Sequence, residues 1–328
     1  MFAPQTFTTA LVMVVISAIC WGSWANTFKG TRGYRFELFY WDYIFGVLAI
    51  ALILAFTLGS ERSDGTDFLS NIRSADRSNI LYAIAGGAIF NVANLLLVAG
   101  IEMAGLAIAF PVAVGIALAV GVIMSYIEQP KGNAVLLALA VISAVAAVVF
   151  DGRAYQHLSR GRAAVSRKSI VVCILSGLLM GLFAPFVAHA MNTGHALNAY
   201  GIGVFFSVGA LLCCCVVNVY LMRRPMVGTP VNASAYFAAS AGNHALGVLG
   251  GCIWGLGMMF NVIAASLTGV AISYAIGQSA PMVAAIWGIV AWREFDGSSS
   301  MARLYLGLMF VFFFLAIILA SQAYRAAA

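Results

Sequence analysis

The stretch that decides the fold is residues 133–150, which reads NAVLLALAVISAVAAVVF. It carries no charge, and at about 1.5 Å of rise per helical residue it can cross most of the hydrocarbon core of a bilayer. The rest of the 328-residue chain has the same character, since 63% of it is hydrophobic and only 9% is charged. Ordinary soluble domains are about 25% charged. The composition therefore excludes a soluble globular protein and predicts an all-α integral membrane protein.

Windows of about 19 residues with high hydropathy predict ten transmembrane helices. They cover residues 8–26, 38–58, 80–101, 105–126, 133–150, 169–190, 197–222, 245–266, 269–291 and 303–323. The first nine residues contain no Lys or Arg, so the charged region of a signal peptide is missing. We therefore expect the first helix to be retained.

An internal repeat relates the first half of the chain to the second half. The sequence GGAI at Gly86–Ile89 returns as GGCI at Gly250–Ile253, and the same offset carries Gly105–Phe110 onto Gly269–Tyr274. Helices rich in Gly and Ala can align by chance, but two matches in the same order favour a true repeat.

The repeat predicts two five-helix halves, residues 1–150 and 169–328, joined by a basic cytoplasmic linker at 151–168. Because five is an odd number, the second half enters the membrane in the opposite orientation. Such inverted repeats are typical of secondary transporters, which bind their solute where the repeats meet.

The basic residues predict the orientation. The face that includes the linker carries Lys29, Arg32, Arg35, Arg153, Arg160, Arg162, Arg167, Lys168, Arg223, Arg224, Arg293 and Arg303. The opposite face carries Arg62, Arg73, Arg77, Lys131 and Arg325. The positive-inside rule makes the first face cytoplasmic, with both termini outside a plasma (bacterial inner) membrane. The net charge of +6 is thus a topology signal, and no nucleic-acid partner is expected.

The sequence motifs of metal sites, nucleotide-binding proteins and hydrolases are missing. The six cysteines lie in apolar runs without metal-ligand spacing, so they are expected to be small hydrophobes and not disulfides or a zinc site. The chain has no P-loop, HExxH or GxSxG motif and no dinucleotide fingerprint, so no cofactor or metal is expected. An ion or solute gradient would have to drive any transport. A membrane enzyme or a scaffold is the alternative of another class.

Ionisable residues inside apolar helices indicate function, because a charge in the hydrocarbon is costly. Asp42, about one turn inside the second helix, is the first candidate for a group that binds and releases a coupling proton. Glu37 and His189 are further candidates. The alternative for Asp42 is an interfacial carboxylate that pairs with Arg35 or Lys29. The alternative for His189 is a structural histidine. Sodium is the alternative coupling ion.

Neutral polar and aromatic side chains in several helices favour a small uncharged polar solute. Amides can pair with its hydroxyl, carbonyl or N–H groups, and aromatic rings can cover a sugar ring or a heterocycle. The candidates are Trp24, Asn26, Trp41, Asn91, Asn94, Phe183, Asn261 and Gln278. The alternative is that these amides only hold helices together.

Three prolines, Pro111, Pro185 and Pro281, are expected to interrupt their helices and to act as hinges. Broken helices in corresponding places of two repeats indicate a binding site near the middle of the membrane. Proline is also simply tolerated in membrane helices.

Four short motifs carry a family resemblance: WGSW at Trp21–Trp24, YWDY at Tyr40–Tyr43, FTLG at Phe56–Gly59, and Gly86–Gly87 with Asn94. With ten helices in two halves, the chain resembles the drug/metabolite transporter superfamily. Within it, the motifs are similar to the ureide permease and glucose/ribose porter-like branch, which includes rhamnose–proton symporters. Many members keep their termini in the cytoplasm, unlike the prediction above.

The resemblance implies a transporter of sugars, ureides or nucleobase-like compounds. We expect proton-coupled uptake by alternating access, and an exporter of amphipathic compounds is the alternative. The oligomeric state is left open.

Overall fold

The computed structural model describes residues 1–60, 67–158 and 166–326. Within these ranges the chain forms α1 (Phe7–Ser23), α2 (Ala25–Lys29), α3 (Phe36–Phe56), α4 (Phe68–Ser74), α5 (Arg77–Ala104), α6 (Leu106–Glu128), α7 (Ala134–Leu158), α8 (Arg167–Asn192), α9 (Ala199–Arg223), α10 (Ala233–Phe237), α11 (Ala241–Thr268), α12 (Val270–Gly277), α13 (Ala280–Val290) and α14 (Ser300–Arg325). Ten stretches of the described residues can span a membrane by length and composition, with α1–α2 and α12–α13 each counted as one. The predicted class and number of spans are confirmed.

Long helices follow from the apolar runs, because a helix satisfies its backbone polar groups internally where lipid offers no partner. Polar caps then fix where several helices begin. The side chains of Thr6, Asp67, Asn198 and Ser299 each accept a hydrogen bond from the backbone N–H three residues later. These caps satisfy donors that would otherwise be unpaired at the helix start.

The helices group into two compact units. The first unit combines residues 1–92 with 186–267, and the second combines 93–185 with 268–328. Each unit therefore takes helices from both halves of the sequence. The inverted relation of the two halves stays a prediction.

The first unit is packed through glycines. A Cβ on Gly251 of α11 would collide with the carbonyl oxygen of Tyr43 on α3, and one on Gly87 of α5 would collide with the carbonyl oxygen of Phe206 on α9. The helix backbones can lie this close only because glycine has no side chain. The approach brings polar and aromatic groups of α3 and α11 into contact.

The second unit is built around α7, which packs against α6, α12 and α14. The hydroxyl of Ser143 on α7 donates to the carbonyl oxygen of Phe312 on α14 over 2.8 Å. Phe150 continues the contact, with ring centroids 5.3 Å from Phe312 and 6.1 Å from Tyr305. Since residue numbers rise along α7 as they fall along α14, the two helices are antiparallel.

Two single-residue connections join spanning helices at the positions that the repeat aligns. Gly105 separates α5 from α6 with φ 75° and ψ 160°, and Gly269 separates α11 from α12 with φ 84° and ψ 151°. This region of backbone space is adopted essentially only by glycine. The repeat match of residues 105–110 with 269–274 thus begins, in both copies, at a glycine with the same backbone conformation.

We expect Gly105→Ala to destabilise the protein by about 1–3 kcal/mol, because an alanine is forced into this backbone conformation. A Cβ at Gly105 would meet nothing within 4 Å, whereas at Gly269 it would lie 2.9 Å from the Lys131 Cβ, so Gly269→Ala should cost more. Thermal unfolding in detergent measures both. Gly115→Ala, which also has open space, is the control. Equal effects at all three positions would contradict the backbone argument.

The prolines behave differently from one another. Pro281 lies at the start of α13, after a break between α12 and α13, so the interruption of this span is confirmed. The expected interruptions at Pro111 and Pro185 are wrong, because α6 and α8 continue through them. A membrane helix can absorb a proline when neighbouring groups satisfy the freed carbonyl. The hinge role of all three stays a prediction.

The predicted linker at 151–168 begins as a helix, since α7 continues to Leu158. Residues 159–165 lie outside the described residues, together with Arg160 and Arg162 of the predicted basic face and Arg62 of the other. All six cysteines are free thiols.

Candidate functional site

A buried carboxylate is the polar centre of the first unit. Asp42, in the second turn of α3, is 3% exposed. Its Oδ2 accepts a hydrogen bond from the Tyr34 hydroxyl over 2.7 Å, and its Oδ1 accepts one from the Tyr236 hydroxyl over 2.6 Å. His244 Nδ1 lies 3.0 Å from both oxygens. We call these four residues the Asp42 cluster.

Three segments that are distant in the chain supply the partners of Asp42. Tyr34 precedes α3, Tyr236 lies on the short helix α10, and His244 lies in the first turn of α11. Gly247, one turn further along α11, faces the Asp42 Cβ, where a side chain would collide with it. The glycine lets α11 approach closely enough for His244 to contact the carboxylate.

The donors around Asp42 offset the cost of removing a carboxylate from water. Burial raises the pKa of both Tyr34 and Tyr236, and the hydrogen bond to Asp42 raises it further. Both phenols therefore stay protonated donors. The His244 side chain is 28% exposed, whereas that of Asp42 is 4% exposed. The imidazole thus links a buried carboxylate to water.

An aromatic cluster adjoins Asp42 through the next residue of α3. The Tyr43 ring lies 4.9 Å from Trp24 and 6.2 Å from Trp254, centroid to centroid. Trp254 stacks on Phe90 at 4.4 Å and lies roughly parallel to Trp21 at 6.0 Å. Helices α1, α3, α5 and α11 thus contribute to one set of rings, which we call the aromatic cluster.

Polar atoms without partners accompany these rings. Tyr43 Oη, Trp21 Nε1 and Ser17 Oγ are buried and have no hydrogen-bond partner among the described residues. Leaving such a group unsatisfied costs about 1–3 kcal/mol, so each one calls for an explanation. The Asn91 carboxamide is also buried, and it lies beside the Cys213 thiol, which is a weak hydrogen-bonding group. A bound solute with N–H and C=O groups would satisfy such atoms.

The other proton candidates lie outside the contacts of Asp42. Glu37 pairs with Arg35, with Oε1 2.6 Å from Nη2. His189 stacks on Tyr82 at 3.9 Å between ring centroids.

The candidate substrate residues divide between the two units. Those in the first unit are Trp24, Asn26, Trp41, Asn91 and Asn261, and those in the second are Asn94, Phe183 and Gln278. Trp24 belongs to the aromatic cluster, as described above.

Several of the remaining candidates have structural partners. Asn26 Nδ2 donates to the Ser23 carbonyl oxygen over 2.9 Å, and Trp41 Nε1 lies 3.3 Å from the Met222 Sδ. Phe183 packs edge-on against Tyr274 at 5.6 Å. Asn94 and Asn261 are buried, and Gln278 lies at the break between α12 and α13.

Sequence reasoning missed Tyr34, Tyr236 and His244. For His244 a signal existed, because this histidine immediately precedes the predicted span 245–266. The two tyrosines lie in connections, where nothing in the local sequence distinguishes a site residue from an interfacial one.

Comparison with known proteins gives the family. The ureide permease family model matches residues 39–169 and 157–322. Ureide permease 4 of Arabidopsis thaliana is 23% identical, with 99% of this chain and 100% of that protein covered. Ureide permease 1 of the same plant is 22% identical with the same coverage. A solved crystal structure matches with TM-score 0.66 at 14% identity, over 98% of this chain and 99% of that one, and it supports the fold alone.

The family match covers most of the chain and includes most of α3 and all of α5, α10 and α11, which carry much of the site. The chain therefore belongs to the ureide permease family and is a multi-pass membrane transporter, not an enzyme.

Proposed function

We propose that this protein takes up a small uncharged ureide-like or nucleobase-like compound together with a proton, by alternating access. The observation that carries the proposal is the Asp42 cluster next to the aromatic cluster. In this proposal the Asp42 cluster provides a group that exchanges protons with water. The aromatic cluster provides rings beside unsatisfied polar atoms. The names of the relatives supply the substrate class.

The substrate class fits the chemistry of the aromatic cluster. Ureides and nucleobases combine a flat ring or amide plane with urea-type N–H and C=O groups. Such a plane can stack on an aromatic ring. Tyr43 Oη can donate or accept, and Trp21 Nε1 can donate, so together they can pair with both kinds of polar group.

Protonation of Asp42 would change how three segments are held. The ionised carboxylate accepts hydrogen bonds from Tyr34 and Tyr236, and it faces the imidazole of His244. A neutral acid has less acceptor capacity and needs an acceptor for its own proton. Loading the proton therefore loosens contacts between α3, α10 and α11. Such a change is the differential interaction through which proton and solute can be coupled.

The predicted topology supports uptake as the direction of transport. Lys29, Arg32 and Arg35 precede α3, and Arg223 and Arg224 lie at the end of α9. The positive-inside rule makes this face cytoplasmic, in the plasma membrane, with both termini outside. The Asp42 cluster would then open towards the cytoplasm, where a symporter releases its proton.

Binding tests the substrate class. Purified protein in detergent is heated with allantoin, uracil, rhamnose or tetraphenylphosphonium. A ligand that binds only the folded protein at 100 times its Kd adds about 2.7 kcal/mol of stability. We expect allantoin or uracil to raise Tm. We expect Trp254→Ala to abolish that shift, whereas Trp287→Ala, at a tryptophan 41% exposed, retains it.

The other probes distinguish the alternatives. Sugars can also lie against aromatic rings, so a shift with rhamnose alone would overturn the ureide assignment in favour of a sugar. A shift with the lipophilic cation alone would overturn uptake of a polar solute in favour of an exporter.

A further inference from the structure

A second buried carboxylate lies in the other unit. Asp151, near the end of α7, is 4% exposed. Its Oδ1 has no hydrogen-bond partner in the described part of the chain. An ionised carboxylate buried without a partner is costly, and a neutral acid avoids most of that cost. The arrangement around it shows how a proton could reach it.

Tyr155 and Glu294 form a hydrogen-bonded pair one helical turn from Asp151. Tyr155 follows Asp151 by one helical turn, so both lie on the same face of α7. Its hydroxyl donates to Glu294 Oε2 over 3.2 Å. Asp151 is buried, whereas Tyr155 and Glu294 are partly exposed. The three groups thus form a series from interior to surface.

The backbone after α13 is shaped to hold Glu294 there. Arg293 has φ 51°, the one positive value at a non-glycine residue among those described. The turn lets the Glu294 N–H donate to the Gly288 carbonyl oxygen over 2.9 Å. A Cβ on Gly288 would lie 2.8 Å from Glu294 Oε2 and 3.3 Å from the Tyr155 hydroxyl. Strained backbone that positions a polar side chain is typical of functional sites.

Neighbouring helices offer other titratable groups. The facing end of α14 carries Arg303, which is exposed, and Tyr305, whose ring stacks on His157 with centroids 5.4 Å apart. Tyr274 of α12 donates to the Met180 carbonyl oxygen. The first half of α6, which lies at this end of α7, contains no titratable residue, and Tyr126 and Glu128 lie at its other end.

We propose that Asp151 is a proton-binding site of the second unit, filled from water through Glu294 and Tyr155 and separate from Asp42. Glu294 takes a proton from hydronium. The Tyr155 hydroxyl, which no longer donates to the protonated Glu294, turns towards Asp151 and gives it a proton while the Tyr155 oxygen takes the proton of Glu294. Glu294 is left ionised, the phenol is neutral again, and Asp151 is a carboxylic acid. This site is independent of which solute the protein carries.

Infrared difference spectra between the purified protein in H2O and in D2O test the proposal. The C=O stretch of a carboxylic acid shifts in D2O, so a protonated carboxyl group gives a band in such a spectrum. We expect wild type to show a buried acid band that Asp151→Asn removes. Asp296→Asn, at an exposed aspartate, should keep it. If Asp151→Asn does not fold, Asp151→Glu should retain the band at a changed frequency. A band unchanged by substitution of Asp151, or missing in wild type, would overturn the proposal.

The proton path has its own readout. Glu294→Gln and Tyr155→Phe should slow the H/D exchange of the Asp151 band by about tenfold or more, since exchange needs a group that carries the proton. Both variants should keep the band itself. Exchange at the wild-type rate in both would overturn the path through these residues.

Discussion

Asp42→Asn is expected to abolish accumulation driven by a pH gradient while leaving the protein folded. The amide has nearly the same shape. Its oxygen still accepts a hydrogen bond from one of the two tyrosines, Tyr34 or Tyr236, and its NH2 group can donate to the hydroxyl oxygen of the other, but it does not carry a proton. With one proton per solute, a gradient of one pH unit supports about tenfold accumulation, since each corresponds to about 1.4 kcal/mol. The variant should equilibrate the solute without concentrating it.

Proteoliposomes with an imposed pH gradient measure the effect of Asp42→Asn on uptake of radiolabelled allantoin or uracil. Counterflow exchange of the same solute, without a gradient, should persist and thereby show that the protein is folded. Asp67→Asn is the matched control, because asparagine also caps the start of α4 well. If the Asp42→Asn variant accumulates the solute as well as wild type does, another group carries the coupling proton.

Gly251→Ala is expected to have the largest effect on stability, because it tests the contact on which the first unit depends. The new methyl group would collide with the Tyr43 carbonyl oxygen and lie 2.9 Å from the Val47 nitrogen, both in the α3 backbone. Backbone atoms cannot rotate away, so the helices must separate. Overpacking costs typically about 1–3 kcal/mol, and we expect the upper end of this range or more.

Thermal unfolding in detergent compares Gly251→Ala with Gly307→Ala on α14, where a Cβ would meet nothing within 4 Å. The control should be neutral or slightly stabilised, since alanine favours helix over glycine by about 1 kcal/mol. Equal Tm values for the two variants would show that α3 and α11 separate without cost.

The ten spans were predictable from sequence because lipid imposes a simple rule. A segment either offers about 20 apolar residues or stays in water. The rule does not mark where a helix ends in water, and so it missed the continuation of α7 to Leu158. It likewise does not tell whether a helix continues through a proline, as α6 and α8 do at Pro111 and Pro185, or begins at one, as α13 does at Pro281.

The candidate site was only partly predictable, because its chemistry depends on long-range pairing. Asp42 stood out as a charge in an apolar run, but its partners Tyr236 and His244 lie 194 and 202 residues away in the chain. The 33 glycines indicated close helix contacts without showing which backbones meet. That information resides in the packing of α3 against α11.

The one-residue connections at Gly105 and Gly269 bear on how the chain enters the membrane. Neither connection has room for the basic residues that set orientation, so we expect α5 with α6 and α11 with α12 to insert as hairpins. Their orientation is then dictated by flanking segments such as 223–240. An epitope or glycosylation tag placed at either glycine would split a hairpin, whereas the longer connections can accept one.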